Sequence, residues 1–261
     1  MSARFLVLLL CVLTLFPGCA STLAAPTITI GAASSLQPLL DNIKPGFEKK
    51  TGIELRISYG ASGAVARQIA RGAPIDVFFS ASNWFTDDLV QEGFLSESSV
   101  IPWAEGIIVV IRPVTRLSAP SLLTDAKRIA IANPRTAPYG AAAKRMLEFM
   151  NIWDVVEGRI IYAETASQAL QFARAGEVDF AFVPASLLIA MSDGVEPVDE
   201  KTYGVPADVS LTQTVGLVSA TPNLQEAVRF IEYFLAPDIA STVNRFGYRP
   251  IHGAIRGIAS R

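Results

Sequence analysis

The sequence predicts an α/β protein built as two lobes with largely parallel sheets. Apolar strand-like runs alternate with amphipathic helical patterns along nearly the whole chain, the order that parallel strands with crossover helices produce. Several of these runs end directly in helix starts, as strands do on the ligand-facing edge of open α/β sheets. Strand-like segments near 106 and 214 lead from one α/β series to another without a long linker, so two lobes joined by crossing strands fit better than a linear pair of domains.

The chain of 261 residues begins with a leader. A single Arg4 precedes an apolar run over 5–16, the breaker pair Pro17-Gly18 and small residues through Ala25, the pattern of a secretory signal peptide over residues 1–24. The run is shorter than the roughly 20 apolar residues of a membrane-spanning helix, so an exported protein, soluble or tethered only at its N-terminus, is expected. Thr22-Leu23-Ala24 offers a small-x-small cleavage site, whereas Gly18-Cys19 resembles a lipoprotein-processing site that would leave a lipid tether at Cys19. Both cysteines, Cys11 and Cys19, lie in the leader, so cleavage after Ala24 leaves no disulfide and no thiolate ligand. The net charge of −2 becomes −3 once Arg4 is removed, which argues against nucleic acid and anionic membranes as partners. Any bound anion must therefore be held by local dipoles rather than by a positive field.

In the mature chain, 27–30 reads as a strand and 35–50 as a helix whose Leu36, Leu39, Leu40, Ile43 and Phe47 share one face. Pro38 falls in the first turn of that helix and Gly52 is its C-cap. A strand over 53–59, a helix over 62–71 closed by Gly72 and an apolar strand over 75–79 follow, and 106–111 is the strand that leads away. The second series comprises a strand over 128–132, a turn through Asn133-Pro134-Arg135-Thr136-Ala137-Pro138-Tyr139-Gly140 and a helix over 141–150. It continues with a strand over 159–163, a helix over 166–175 and a strand over 178–183 ahead of Pro184. The strand 214–219 returns, followed by helices over 223–235 and 237–245. The lobes are expected to comprise 25–107 with 213–261, and 108–212.

Two turns carry the chemistry, Gly31-Ala32-Ala33-Ser34-Ser35-Leu36 and Tyr59-Gly60-Ala61-Ser62-Gly63. A helix start exposes unpaired N–H groups and the positive end of the macrodipole, so hydroxyls placed there can hold a small dianion without a counter-charge. Each serine taken singly could equally be an ordinary N-cap; their recurrence at successive strand–helix turns favours a shared ligand. Tyr139, after Pro138, and Ala166, after Glu164-Thr165, each add a main-chain donor at a helix start, although the Tyr139 ring could pack between lobes and Ala166 could mark an ordinary connection. Asp76, Asp87, Asp88 and Glu105 fall outside both serine turns. Monohydrogen phosphate needs an acceptor for its proton, whereas a fully deprotonated tetrahedral dianion needs donors only. Molybdate, tungstate or sulfate thus suits these turns better than phosphate.

Catalysis has little support. The one histidine, His252, lies in the tail, and no Gly-x-Ser-x-Gly elbow surrounds any serine. Zinc-type ligand spacing, an Asp-x-Asp-x-Asp-Gly calcium loop and the Walker or dinucleotide glycine patterns are all missing from the sequence.

The serine turns, extended by Ala64-Val65-Ala66-Arg67-Gln68-Ile69 and by Gly72-Ala73-Pro74-Ile75-Asp76-Val77-Phe78-Phe79-Ser80-Ala81, resemble the periplasmic molybdate-binding proteins that feed ABC transporters. Ala137-Pro138-Tyr139-Gly140, Ala163-Glu164 and Phe180-Ala181-Phe182-Val183 continue the resemblance over essentially the whole mature chain. It implies a type II periplasmic-binding-protein fold, with two α/β lobes, two crossing hinge strands and an oxyanion buried in the cleft between them. Ser34, Ser35 and Ser62 would supply hydroxyls, Tyr139 and Ala166 main-chain donors from the other lobe, and Ala81 a further N–H. The resemblance further implies molybdate or tungstate as ligand, no cofactor, an ABC permease as partner, a monomer, and no enzymatic activity. Two places depart from the family pattern: Pro184 stands where some members carry a ligand-contacting tyrosine, and Trp103-Ala104-Glu105-Gly106 replaces an Asn-containing segment. A receptor for sulfate or a small organic acid is the alternative, the latter through Arg67 or Arg135; an exported enzyme using His252 is a third.

Overall fold

The computed structural model describes residues 25–114, 122–190, 195–197 and 211–251; the leader with Cys11 and Cys19, and the tail with His252, lie outside them. The first strand, β1 (Thr27–Ala33), runs three residues past its expected end. Gly31, Ala32 and Ala33 pair with Ser58, Tyr59 and Gly60 of the parallel β2 (Glu54–Gly60), so tertiary pairing makes strand of small residues that carry little strand preference themselves. Between these strands a 3-10 turn at Ser34–Leu36 runs into α1 (Gln37–Thr51), which buries Leu39, Leu40, Ile43 and Phe47 and ends at a left-handed Gly52. Then come α2 (Ser62–Ala70), β3 (Val77–Ser80) and α3 (Asn83–Gln91). The sequence reading does not predict α3; a local cap sets its start, the Ser82 hydroxyl accepting from the Trp84 N–H at 3.2 Å. Nor does it predict β4 (Ile101–Glu105), which contains Pro102.

At Gly106 and Ile107 the chain crosses into a second sheet. There β5 (Ile108–Pro113), β6 (Ile129–Ala132), α4 (Pro138–Phe149), α5 (Trp153–Val156), β7 (Ile160–Ala163), α6 (Ala166–Arg174), β8 (Phe180–Pro184), α7 (Ala185–Ala190) and β9 (Val195–Pro197) follow in order. Helix α4 starts three residues before the expected position because Pro138 opens it, proline being suited to the first helical turn. The chain returns through β10 (Thr212–Leu217), then α8 (Leu224–Phe234), α9 (Pro237–Arg245) and β11 (Arg249–Pro250). Pro102 is accommodated where β10 shifts register against β4, between Gln213 and Thr214.

The strands form two sheets, ordered β11-β4-β10-β3-β1-β2 and β7-β6-β8-β5-β9. Within the first, β1, β2 and β3 are parallel, and within the second β6, β7 and β8 are parallel. The Glu105 end of β4 pairs with Thr212 at the start of β10, and Ile108 at the start of β5 pairs with Pro184 at the end of β8. The crossover at Gly106 therefore joins the two sheets at the C-terminal ends of their parallel strands, the edges where open α/β sheets bind ligands.

The lobes have different cores. In the first, Phe47, Phe79 and Trp103 meet Phe230 and Phe234 of α8 edge-on, with ring centroids 4.8 to 6.0 Å apart. The second is filled by Ile129, Ile131, Leu147, Leu170, Phe180 and Phe182 over a floor of alanines. Among the described residues no helix is long and apolar enough to cross a membrane.

Candidate functional site

The two sheets present their turns to each other, and direct hydrogen bonds stitch those turns together. The Gly63 N–H donates to the Thr136 carbonyl at 2.8 Å. The Ser167 hydroxyl donates to the Ser34 carbonyl at 3.3 Å, and the Ser186 hydroxyl to the Ser35 carbonyl at 2.8 Å. Each bond joins a turn of the first lobe to a turn of the second, on or beside a residue singled out from the sequence. Gly63 permits the closest approach, since a side chain there would meet the Phe85 ring at 2.7 Å and the Thr136 backbone at 3.2 Å.

On the first lobe, Ser34, Ser35 and Ser62 are all buried. The Ser35 hydroxyl is buried without any hydrogen-bond partner. The Ser62 hydroxyl accepts from the Ala81 N–H at 3.1 Å, which fixes its oxygen and leaves its own proton to donate. This corrects the expectation for Ala81: its N–H is engaged with Ser62 and acts through that hydroxyl. The neighbouring Ser80 hydroxyl is likewise committed, donating to the Ser82 carbonyl at 2.6 Å.

On the second lobe, Tyr139 follows Pro138 in the first turn of α4, and Ala166 opens α6. Neither N–H has an acceptor within its own helix, because both fall among the first four helical positions. Thr165 caps α6, its hydroxyl accepting from the Gln168 N–H at 3.1 Å, and the Gln168 side-chain carbonyl accepts from the Glu164 N–H at 2.6 Å. That reciprocal pair aims the helix start and leaves the Ala166 N–H uncommitted. The Tyr139 ring runs back against Gly106, where no side chain would fit beside its hydroxyl. That hydroxyl is buried without a partner, and burial, with Tyr248 and Glu105 close by, holds it well above the ordinary tyrosine range. The packing role left open for the ring is thus observed, at the crossover itself.

No lysine or arginine is buried among the described residues; Arg67 and Arg135, the candidates for an organic carboxylate, are both exposed. The two carboxylates buried among the described residues are bound elsewhere. Asp76, just before β3, accepts from the Thr29 N–H at 2.7 Å, and Asp179, just before β8, accepts from Lys127 and Arg128 N–H groups at 2.7 and 3.0 Å. Both sit at the strand ends opposite the seam. Glu105 is tied at 2.6 Å by the Thr212 hydroxyl. No cluster of histidine, cysteine or carboxylate able to hold a metal ion occurs among the described residues. Sequence reasoning missed Thr136, Ser167, Ser186 and Tyr248; Ser167 beside Ala166 and Ser186 beside Pro184 had only their proximity to flagged positions as a signal.

Two α/β lobes that meet at the C-terminal ends of their parallel strands, with uncharged donors in the seam, form the architecture of a solute-binding protein. The chain belongs to the bacterial extracellular solute-binding protein family, whose model it matches over residues 28–249. It is 31% identical over 229 residues, 85% of this chain and 86% of the relative, to the Bacillus subtilis substrate-binding lipoprotein YvgL, provisionally assigned to an ABC transporter. It is 28% identical over 241 residues, 90% of this chain and 93% of the relative, to the molybdate-binding protein ModA of Rhodobacter capsulatus. The solved structure of the Azotobacter vinelandii periplasmic molybdate-binding protein matches with a TM-score of 0.73 at 26% identity, covering 85% of this chain and 98% of that one.

Proposed function

We propose that this protein captures molybdate, and tungstate with it, between its lobes in the periplasm and delivers it as a monomer to an ABC importer. The observation that supports this reading is the seam itself: turns bearing buried serines on one lobe are hydrogen-bonded to segments at helix starts of the other, with no buried cation among the described residues. Such a set offers donors and no unbound buried carboxylate, which fits a tetrahedral dianion that carries no proton. Helix termini contribute about 0.3–1 kcal/mol each, more when buried, and hydrogen bonds to a charged ligand about 1.5–3 kcal/mol each. The similarity to molybdate-binding proteins in sequence and structure supports the choice of ion.

On this reading Ser34, Ser35 and Ser62 donate hydroxyl protons, Tyr139 and Ala166 donate main-chain N–H groups, and Ala81 orients Ser62. The lobes comprise 25–107 with 213–261, and 108–212, and no residue acts as a catalyst. Titration calorimetry on residues 25–261, stripped of ligand by partial unfolding and refolding, tests the proposal against molybdate, tungstate, sulfate and phosphate. Tight binding of the first two with no heat from the others is the expected result; silence with all four, or a preference for sulfate, overturns the assignment.

A further inference from the structure

Ser35 is held from both lobes at once. Its carbonyl accepts from the Ser186 hydroxyl at 2.8 Å and from the Tyr248 hydroxyl at 2.9 Å, and the two hydroxyl oxygens lie 3.2 Å apart. Ser35, Ser186 and Tyr248 are each only 1% exposed. Ser186 lies on α7, which follows directly from β8 of the second sheet. Tyr248 follows α9 and is fixed to the first lobe by the Trp103 ring, whose centroid is 5.2 Å from its own. On the same residue, the Ser35 side-chain hydroxyl remains without a partner. The carbonyl is thus committed to orientation and the hydroxyl is left available.

We infer that Ser186 and Tyr248 form a clamp on the Ser35 carbonyl that holds the serine turn in its binding orientation and latches the lobes shut. The inference rests on the receptor reading above and assigns two positioning residues that act through Ser35. A carbonyl with two donors has both lone pairs occupied, so the peptide plane after Ser35 cannot turn without breaking a buried hydrogen bond. Opening the lobes carries Ser186 away and breaks its bond, while the Tyr248 bond, formed within the first lobe, survives. The Ser186 bond therefore opposes release of a bound anion and leaves capture by the open form nearly untouched. The clamp also couples ligand turn and closure in one residue, because whatever displaces Ser35 disturbs the latch.

Stopped-flow tryptophan fluorescence of the mature chain with molybdate separates the two rates. Ser186→Ala should release the anion about tenfold faster, the equivalent of one buried hydrogen bond, with association within about twofold of the parent. Ser186→Thr, which keeps the hydroxyl, should restore slow release, and Tyr248→Phe should speed release by a smaller factor of about three. Release from Ser186→Ala within twofold of the parent, or Ser186→Thr as fast as Ser186→Ala, overturns the clamp. If calorimetry shows no binding of molybdate by the parent, the ion assignment fails instead. The clamp is then read by small-angle scattering, where Ser186→Ala must show a larger radius of gyration than the parent; equal radii overturn it.

Discussion

The two lobes share a frame and differ in what they place on it. Each anchors its inner strand with a buried aspartate: Asp76 before β3 exchanges bonds with the Thr29 N–H and carbonyl at 2.7 and 2.8 Å, and Asp179 before β8 does so with Arg128 at 3.0 and 2.8 Å. At the opposite, facing edge the likeness ends. The first lobe presents buried hydroxyls on Ser34, Ser35 and Ser62, whereas the second presents backbone at the starts of α4 and α6. Side-chain donors can be changed one at a time by substitution; backbone donors are set by where a helix begins. One lobe is thus the adjustable half of the seam and the other the fixed half.

That contrast can be broken from the fixed side first. Gly140 sits against the Ala132 carbonyl with no space for a side chain, so Gly140→Ala should push α4 off β6, lowering stability by about 3 kcal/mol in urea titration and abolishing binding. On the adjustable side, Ser62→Ala removes one hydroxyl and should weaken molybdate by about 1.5–3 kcal/mol in calorimetry, and it also lowers the melting temperature because the buried Ala81 N–H loses its acceptor. Ala166→Pro sharpens the comparison by deleting a backbone donor alone. Proline suits the first helical position, and Thr165 already has the extended φ of −133° and ψ of 163° that a following proline requires. Affinity should fall by about 1.5–2 kcal/mol, on the scale for bonds to charged groups, while helix content by circular dichroism stays unchanged. An unchanged affinity would remove Ala166 from the site.

The smallest effect is a pH dependence. Burial raises Tyr139 and Tyr248 above the ordinary value of 10.0. Below pH 10 both states keep the phenolic proton and these groups add no slope. Above it the unfolded chain ionises first and binds fewer protons, so stability falls as pH rises, by about 1.4 kcal/mol per unit for each tyrosine. Tyr139→Phe should flatten that alkaline loss in denaturation profiles between pH 10 and 11.

Most of the architecture was legible because it is written in local periodicity. The face of α1, the Gly52 cap and the 237–245 helix are carried by residues a few positions apart. What escaped depends on distant partners. Pro102 hid β4 until the register shift in β10 gave it a place, and α3 and α7 have apolar stripes too short to read. At the site, Ser34, Ser35 and Ser62 were visible as serines at strand–helix turns. Ser186 and Tyr248 reach Ser35 across 151 and 213 positions of sequence, which no local pattern encodes. The commitment of the Ala81 N–H to Ser62 was hidden for the same reason, since it joins two turns rather than belonging to one.

The lack of a buried cation among the described residues has an environmental consequence. Mobile ions shield exposed charges over a Debye length of about 10 Å at 0.1 M salt but act much less on groups sealed from solvent. On the function proposed above, a receptor that grips its anion with hydroxyls and backbone dipoles inside a closed seam should hold it almost equally well in brackish and in fresh water. Its net negative charge repels that anion at long range, and less so as salt rises. Retention is thereby uncoupled from salinity, and the rate of encounter, rather than the strength of grip, is what a change of habitat would alter.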